Sequence, residues 1–393
     1  MRRTVIGLLS FALTAAAPAG QQPASAPAAP PQLAGLLAAL QNVDWEIRAK
    51  AAEAIGKLGP AAAAAVPALT EAVADGTTMV RINACEALGA IGPGARSALP
   101  ALTEALGDEI LDVRYAAYDA RGRIAPLPAR SAAELAADLR SKKAPERWLA
   151  ARRLEELGPK AAPTVAALIR AATDDDWGVC IAAIDALGAV GPAAREAVET
   201  LALAADWHRQ DVQYRRVRIR ARAAVALGRI GPAAIPSLRK LMDHPTSAPR
   251  IAAVEALCEM GPAAAPCADV LAKALADYEI RVRTTAAEAL ARLGADGAAR
   301  LATAAAHKDA YVRKLAAEAM GKLPADAAPA AVPALAKLLT DDSEEVRFLA
   351  AESLGRLGPA ARGALAALDK AAGDPAAWVA SAAKKAAQRV GGR

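Results

Sequence analysis

The stretch VRINACEALGAIGPGARSALPALTEAL, residues 80–106, has the pattern of two helices joined by a Gly-Pro pair. Gly92 favours the left-handed backbone of a helix end, and Pro93 cannot extend the helix. The second half opens on Pro100, a residue suited to a first helical turn, and its leucines supply an apolar face. Apolar residues of the first half recur three and four positions apart, which predicts one buried helix face: Val80, Ala84, Ala87, Leu88 and Ile91.

The same unit recurs along the chain, with an arginine at one fixed position that sets the register. Cys180 stands at this position in the fifth unit. Successive steps are 33 residues over the first five units, then 40, 30, 33, 30 and 34. This period predicts ten stacked two-helix repeats, because a single unit cannot bury its apolar face alone. We term the nine arginines the arginine ladder: Arg48, Arg81, Arg114, Arg147, Arg220, Arg250, Arg283, Arg313 and Arg347.

Composition favours helices over strands. Alanine accounts for 114 of the 393 residues, and aromatic residues for 3%. Alanine has the highest helix propensity, whereas a β-sandwich or barrel needs β-branched and aromatic side chains to fill its interior. Charged residues at 23% exclude a disordered chain, and after the N-terminus no uncharged apolar run reaches the length of a membrane span.

The consensus V-R-x-x-A-A-x-A-L-G-x-(L/I)-G-P resembles the HEAT-repeat family, and most closely its short bacterial form, the PBS-lyase-like HEAT repeats. The resemblance covers residues 32–393, with a leading half repeat and a C-terminal capping helix. It implies an all-α fold, a right-handed α-solenoid of about ten two-helix repeats of the armadillo-type superhelix. It also implies a concave binding surface on the second helices. Most members are adaptors and a few bacterial ones are chromophore lyases, so the fold alone leaves function open.

The N-terminus has the features of a secretory signal peptide over residues 1–19. A basic start is followed by an apolar stretch at 5–17, too short to span a bilayer, and Ala19 ends a small-x-small cleavage pattern. An uncleaved anchor is the alternative. We expect cleavage after Ala19, a Pro/Ala-rich linker over 20–31, and no stable membrane insertion after cleavage. The protein is then exported, to the periplasm or outside the cell.

Two charged positions repeat with the helices. Each ladder arginine accompanies an acidic inter-unit turn, such as Asp75 or Asp341, so we expect its guanidinium to bridge to the neighbouring unit as a structural contact. The second position lies about 145° from the apolar stripe, which predicts a solvated outer face. It holds a carboxylate in eight units: Glu53, Glu86, Asp119, Asp185, Glu255, Glu288, Glu318 and Glu352.

The longest step contains the strongest departure from the repeat, at residues 206–222. Insertions in solenoids form loops at one edge, often the binding edge. Aromatic and arginine side chains, which are enriched at binding hot spots, gather there and at the starts of two preceding helices. A loop with packed aromatic residues is the alternative. The predicted partner-binding residues are Trp148, Trp177, Trp207, His208, Arg209, Tyr214, Arg215, Arg216, Arg218 and Arg222.

The sequence has no P-loop, dinucleotide-binding, esterase or zinc-protease motif, and its cysteines and histidines lack metal-ligand spacing. We therefore predict a non-enzymatic scaffold of bacterial origin that binds protein partners, with no catalytic residue, cofactor or metal, and no nucleic acid. One alternative is a chromophore-lyase-type enzyme, for which Cys180 is the oddly placed thiol. Another is polyanion binding through residues 206–222. Cys258 and Cys267 are either paired or buried as small apolar residues.

Overall fold

The computed structural model describes residues 30–206 and 213–392, without the side chains of 213–216. Within these residues the chain is helical and has no strand. The predicted signal peptide and nearly all of the predicted linker lie outside the described residues. The chain divides into two compact units, one ending at Leu127 and the other beginning at Pro128.

The described residues of the first unit, 30–127, form six α-helices. These are α1 (Leu33–Ala39), α2 (Trp45–Lys57), α3 (Val66–Ala72), α4 (Thr78–Ile91), α5 (Leu99–Ala105) and α6 (Leu111–Ile124).

The helices of the second unit continue the alternation of longer first helices, which carry even numbers, and shorter second helices. They are α7 (Ala132–Asp138), α8 (Ala144–Leu157), α9 (Val165–Ala171), α10 (Trp177–Val190), α11 (Val198–Ala205), α12 (Gln213–Ile230), α13 (Ile235–Met242), α14 (Ser247–Met260), α15 (Ala268–Ala274), α16 (Ile280–Arg292), α17 (Ala295–Ala304), α18 (Ala310–Met320), α19 (Ala328–Leu338), α20 (Glu344–Leu357), α21 (Leu365–Ala371) and α22 (Ala377–Gly391). The leading half repeat is α1, and the predicted closing helix is α22.

The Gly-Pro pairs end the first helices, as predicted. Gly92 has φ 71° and ψ −139°, a conformation that a residue with a Cβ atom rarely adopts. A 3₁₀ segment, Gly92–Ala98, then leads into α5. Pro100 lies in the first turn of α5, whereas Pro333 lies inside α19 and does not open it.

Neighbouring first helices approach each other through glycine and alanine. A Cβ atom added to Gly89 on α4 would lie 2.9 Å from the Cα atom of Ala120 on α6, and one on Gly188 would lie 3.0 Å from the Cα of Ala226. These distances place the backbones in direct contact. The α4–α6 and α10–α12 pairs therefore have thin interfaces, and no larger residue fits at these two glycine positions.

This packing predicts opposite effects for two glycine substitutions in the first unit. Gly89→Ala forces its methyl group into Ala120, at a cost of about 1–3 kcal/mol. Gly122→Ala gains up to about 1 kcal/mol of helix propensity, because its methyl group would have no described heavy atom within 4 Å. Thermal midpoints from circular dichroism of the full chain measure both changes. A fall for Gly122→Ala as large as that for Gly89→Ala would contradict this packing.

Six ladder arginines join successive repeats by two-pronged ion pairs. Arg250 Nε and Nη2 donate to the two carboxylate oxygens of Asp277 at 2.8 and 2.9 Å, and its Nη1 donates to His244 O at 2.8 Å. Hydrogen bonds from Arg48 hold the pKa of Asp75 below its ordinary value, against the opposing effect of burial. The remaining pairs are Arg81–Asp108, Arg147–Asp174, Arg313–Asp341 and Arg347–Asp374.

Four other ladder positions, Arg114, Cys180, Arg220 and Arg283, have no aspartate 27 or 28 residues later, and at one of them cysteine replaces the arginine itself. The turn carbonyl that accepts from the ladder arginine belongs to Ser141 before Arg147, to His244 before Arg250 and to His307 before Arg313. Before Arg81 and Arg347 it belongs to an aspartate. Arg220 and Arg283 precede the two histidines. The guanidinium of Arg283 instead stacks on the Tyr311 ring, 4.3 Å from its centroid.

At the fifth ladder position, Cys180 keeps one part of the arginine's role. Its Sγ donates to Asp174 O at 3.0 Å, the same relative carbonyl that ladder arginines use. The side chain is buried. The thiol thus replaces one of the arginine's hydrogen bonds.

Breaking one ladder pair should cost far more than breaking a surface pair. The Arg250 and Asp277 side chains are 7% and 13% exposed, so Asp277→Asn removes a charge-assisted contact and lowers the unfolding free energy by about 1.5–3 kcal/mol. Glu53→Gln is the matched control, because the Glu53–Lys57 pair is exposed on one helix face. Chemical-denaturation midpoints compare the two. Equal shifts would show that the ladder does not stabilise the stack.

One described stretch, Trp177–Ala205, is long and apolar enough by composition to cross a membrane, but 78% of its most apolar window is buried. It comprises α10 and α11 with a break at Gly191, where φ is 70°. The stretch packs between α8 and α12. Burial inside the second unit therefore accounts for its apolar character.

All four cysteines are buried and carry free thiols. Burial raises the pKa of Cys85 to about 12 and also raises the pKa values of Cys258 and Cys267. Of the two alternatives for Cys258 and Cys267, the structure has the buried thiols.

Candidate protein-binding edge

The exposed large apolar side chains concentrate at one position of the repeat. Nine such side chains occur among the described residues, and seven of them lie within the five residues that precede a ladder arginine. Trp378 is at the corresponding end of α22, and Leu203 on α11 lies elsewhere. We term the set of eight the helix-start edge: Val43, Trp45, Ile47, Met79, Val217, Tyr278, Ile280 and Trp378.

In the first unit, the helix-start edge lies at the beginnings of α2 and α4. Val43 is 98% exposed, and Trp45 and Ile47 in the first turn of α2 are 46% and 41% exposed. Asp44 caps this helix by accepting a hydrogen bond from Glu46 N at 2.9 Å. Capping fixes the direction of the first turn, and the apolar side chains extend from it into solvent.

In the second unit, the starts of successive first helices lie next to each other. Contacts between residues at these starts show this. Tyr278 Oη donates to Pro245 O at 3.2 Å, one repeat earlier, and its ring covers the Arg250 guanidinium at 4.4 Å. Trp378 Nε1 donates to Glu344 at 3.3 Å, and its ring lies 4.8 Å from that of Phe348. Half-exposed rings with a fixed polar anchor are typical of binding surfaces.

The structure brings together part of the predicted partner-binding site. The Arg218 guanidinium lies 5.8 Å from the centre of the Trp177 ring, and Trp177 is the first residue of α10 and half-buried. Arg222 lies on the exposed face of α12 and is 48% exposed. Apart from Trp148, the other predicted residues lie outside the part of the chain that the structure describes. These are Trp207, His208 and Arg209, together with the side chains of Tyr214, Arg215 and Arg216.

The prediction for Trp148 is wrong. Its side chain is 0% exposed, because it follows the ladder arginine and lies one turn inside α8 rather than at its start. Ile181 is its equivalent one repeat later and is also 0% exposed. Trp148 is therefore a core residue of the second unit and not part of a binding surface.

The prediction of a solvated carboxylate face holds in the first unit but fails at Asp185. Glu53, Glu86 and Asp119 are exposed along an open groove of about 410 Å³ over α2, α4 and α6. Asp185 is only 9% exposed, with Arg222 Nη1 3.6 Å away. Burial raises the pKa of Asp185 from 3.8 to about 6, although Arg222 acts in the opposite direction.

The raised pKa of Asp185 predicts that the folded chain becomes less stable as this carboxyl group ionises. Its carboxyl binds a proton more tightly in the folded chain than in the unfolded chain, so stability falls as pH rises from about 4 to about 6. Asp185→Asn removes this loss and stabilises the chain at pH 7.5 by about 1–3 kcal/mol, with little effect at pH 4. Thermal midpoints at both pH values test this. An equal effect of the substitution at both would refute the buried, ionisable state.

Within the described residues, no group of three or more histidine, cysteine or acidic side chains could hold a metal ion.

The resemblance implied a binding surface on the second helices, but Leu203 is the one exposed large apolar residue that the described second helices carry. Sequence reasoning missed the helix-start edge. The signal was present three residues before the ladder position, where Trp45, Val217 and Ile280 stand.

Family models for HEAT repeats match residues 33–122, 66–152, 235–321 and 298–388, which together make up more than half of the chain. The chain belongs to the HEAT-repeat family. A model for the PBS lyase HEAT-like repeat also matches residues 219–244. The predicted family and the all-α HEAT-repeat fold are thus confirmed. A search of curated proteins finds no match.

Among solved structures, this chain is similar to one in the complex of Kap95p with RanGDP, at 14% identity and a TM-score of 0.56. The match covers 91% of this chain and 55% of that one, so this chain spans about half its length. The likeness shows the fold alone. Another match is to the CpcE–CpcF complex of phycocyanin lyase from Nostoc sp. PCC7120, at 24% identity, 63% and 96% coverage and a TM-score of 0.35.

Proposed function

We propose that this chain is an exported, non-enzymatic bacterial scaffold that binds protein partners through its helix-start edge. The observation that carries the proposal is the location of the exposed large apolar side chains, eight of nine of which lie at first-helix starts. Scattered exposed apolar residues are ordinary, but a set gathered at one repeat position is typical of an interaction surface.

The chemistry of the helix-start edge favours a protein over a small molecule. In the second unit it combines Val217 and Ile280, each 54% exposed, with Tyr278 at 71%. These side chains offer apolar area at the surface rather than inside an enclosed cavity. Export rests on the predicted signal peptide of residues 1–19.

The test is affinity capture from the native envelope fraction with three forms of the full chain: wild type, Val217→Ser/Ile280→Ser, and Leu203→Ser. We expect proteins recovered by wild type to fall at least fivefold with the double variant, because it removes exposed apolar area at the helix-start edge. Quantitative mass spectrometry measures recovery. Mass spectrometry of the exported chain itself also identifies its first residue, which we expect to be Gly20.

Leu203→Ser is the matched control, since Leu203 is 65% exposed on a second helix. It should recover the same proteins as wild type. Circular dichroism establishes that all three chains are folded. Unchanged recovery with the double variant, or an equal loss with Leu203→Ser, would exclude the helix-start edge as the binding surface.

A further inference from the structure

The positive charge of the chain is concentrated on one helix of the second unit. The chain has 48 basic and 42 acidic residues, an excess of six, and α12 alone contains six arginines and no acidic residue. The rest of the chain is formally neutral. The arginines are Arg215, Arg216, Arg218, Arg220, Arg222 and Arg229.

The helices beside α12 compensate only part of this charge. Asp185 is the one charged residue of α10, Glu199 is the one charged residue of α11, and α14 has two glutamates against one arginine. Each neighbour thus provides a single excess negative charge for the six positive charges of α12. Charged surfaces of one sign attract partners of the opposite sign and raise their rate of association.

The exposed arginines keep hydrogen-bond donors for a partner. Arg222 is 48% exposed with Asp185 at 3.6 Å, and Arg229 is 52% exposed with Glu259 at 3.7 Å. Both distances exceed that of a good hydrogen bond. A guanidinium presents five N–H donors in a planar fork, which suits a carboxylate of an incoming chain.

An apolar groove lies between α12 and α14, and Arg220 is among the residues that line it. The groove measures about 160 Å³ and is lined by Val217 and Ala221 on α12 and by Ile251 on α14. Glu255 on α14 and Arg281 on α16 close it; they form an ion pair with each other, and the Arg281 side chain is still 62% exposed. Small-molecule pockets usually measure roughly 300–1,000 Å³, so this groove suits a single aliphatic side chain. Ile280, beside Arg281 in sequence, extends the exposed apolar surface.

We infer that the segment bound at the helix-start edge of the second unit is an acidic stretch of protein that carries an aliphatic anchor residue. The inference rests on the proposed function and specifies its partner. The anchor side chain enters the groove between α12 and α14, and carboxylates on either side pair with Arg222, Arg229 and Arg281. Nucleic acid supplies negative charge but no aliphatic side chain for the groove.

The test measures binding of a fluorescein-labelled 11-residue peptide with a central leucine flanked by glutamates, by fluorescence anisotropy with the full chain. We expect saturable binding that weakens at least fivefold when the glutamates are replaced by glutamine. The Arg222→Gln/Arg229→Gln/Arg281→Gln chain should also bind at least fivefold more weakly, because the paired donors are lost. The control changes three exposed arginines on 3₁₀ segments and should retain wild-type affinity: Arg96→Gln, Arg195→Gln and Arg362→Gln.

Several outcomes overturn the inference: no binding of the glutamate peptide, equal affinity for the glutamine peptide, or equal weakening by the control variant. Single-stranded DNA of equal charge that binds as tightly, with steep salt dependence, would assign α12 to polyanions in general. Failure here is distinct from failure of the proposed function. If Val217→Ser/Ile280→Ser abolishes envelope capture while the peptide does not bind, the helix-start edge stands and its partner is not acidic.

Discussion

Backbone contact between neighbouring first helices is the constraint on which both units depend. Gly89 and Gly188 allow the helices to approach until an added methyl group would meet the Cα atom of the next helix. Close approach of this kind needs small side chains at every crossing, which explains why alanine is so abundant. Within each unit, a repeat packs mainly on its neighbours, so stability is a sum of many thin interfaces. The arginine ladder adds a second link at the turns.

The thin core also determines where large side chains can lie. Interfaces filled by alanine and glycine have little room for rings, and Trp148 is an exception with its side chain fully buried. Among the described residues, eight of the nine exposed large apolar side chains lie instead at or just before the first turns of helices, where the neighbouring helix does not cover them. The apolar surface of the helix-start edge is thus a consequence of how closely the helices pack below it.

The period and the Gly-Pro signals predicted the repeats, because both follow from local chemistry that each unit contains within itself. Burial of single residues depends on neighbours that a helical wheel does not include. Asp185 shows this well: eleven of the 14 residues of α10 are buried, so the helix has almost no solvated face. Trp148 was misplaced by one turn because the start of α8 was assigned to the tryptophan, whereas Pro145 lies in the first turn of that helix.

The arginine ladder has a consequence for how the chain could change in length. All six closed pairs join an arginine to an aspartate 27 or 28 residues later. The three steps of other lengths, one of 40 and two of 30 residues, begin at Cys180, Arg220 and Arg283, none of which has an aspartate 27 or 28 residues later. A closed pair acts as a molecular ruler that rejects insertions and deletions between its ends. Loops could therefore be lengthened or grafted at those three repeats with less disturbance than at any repeat in which the ruler is intact.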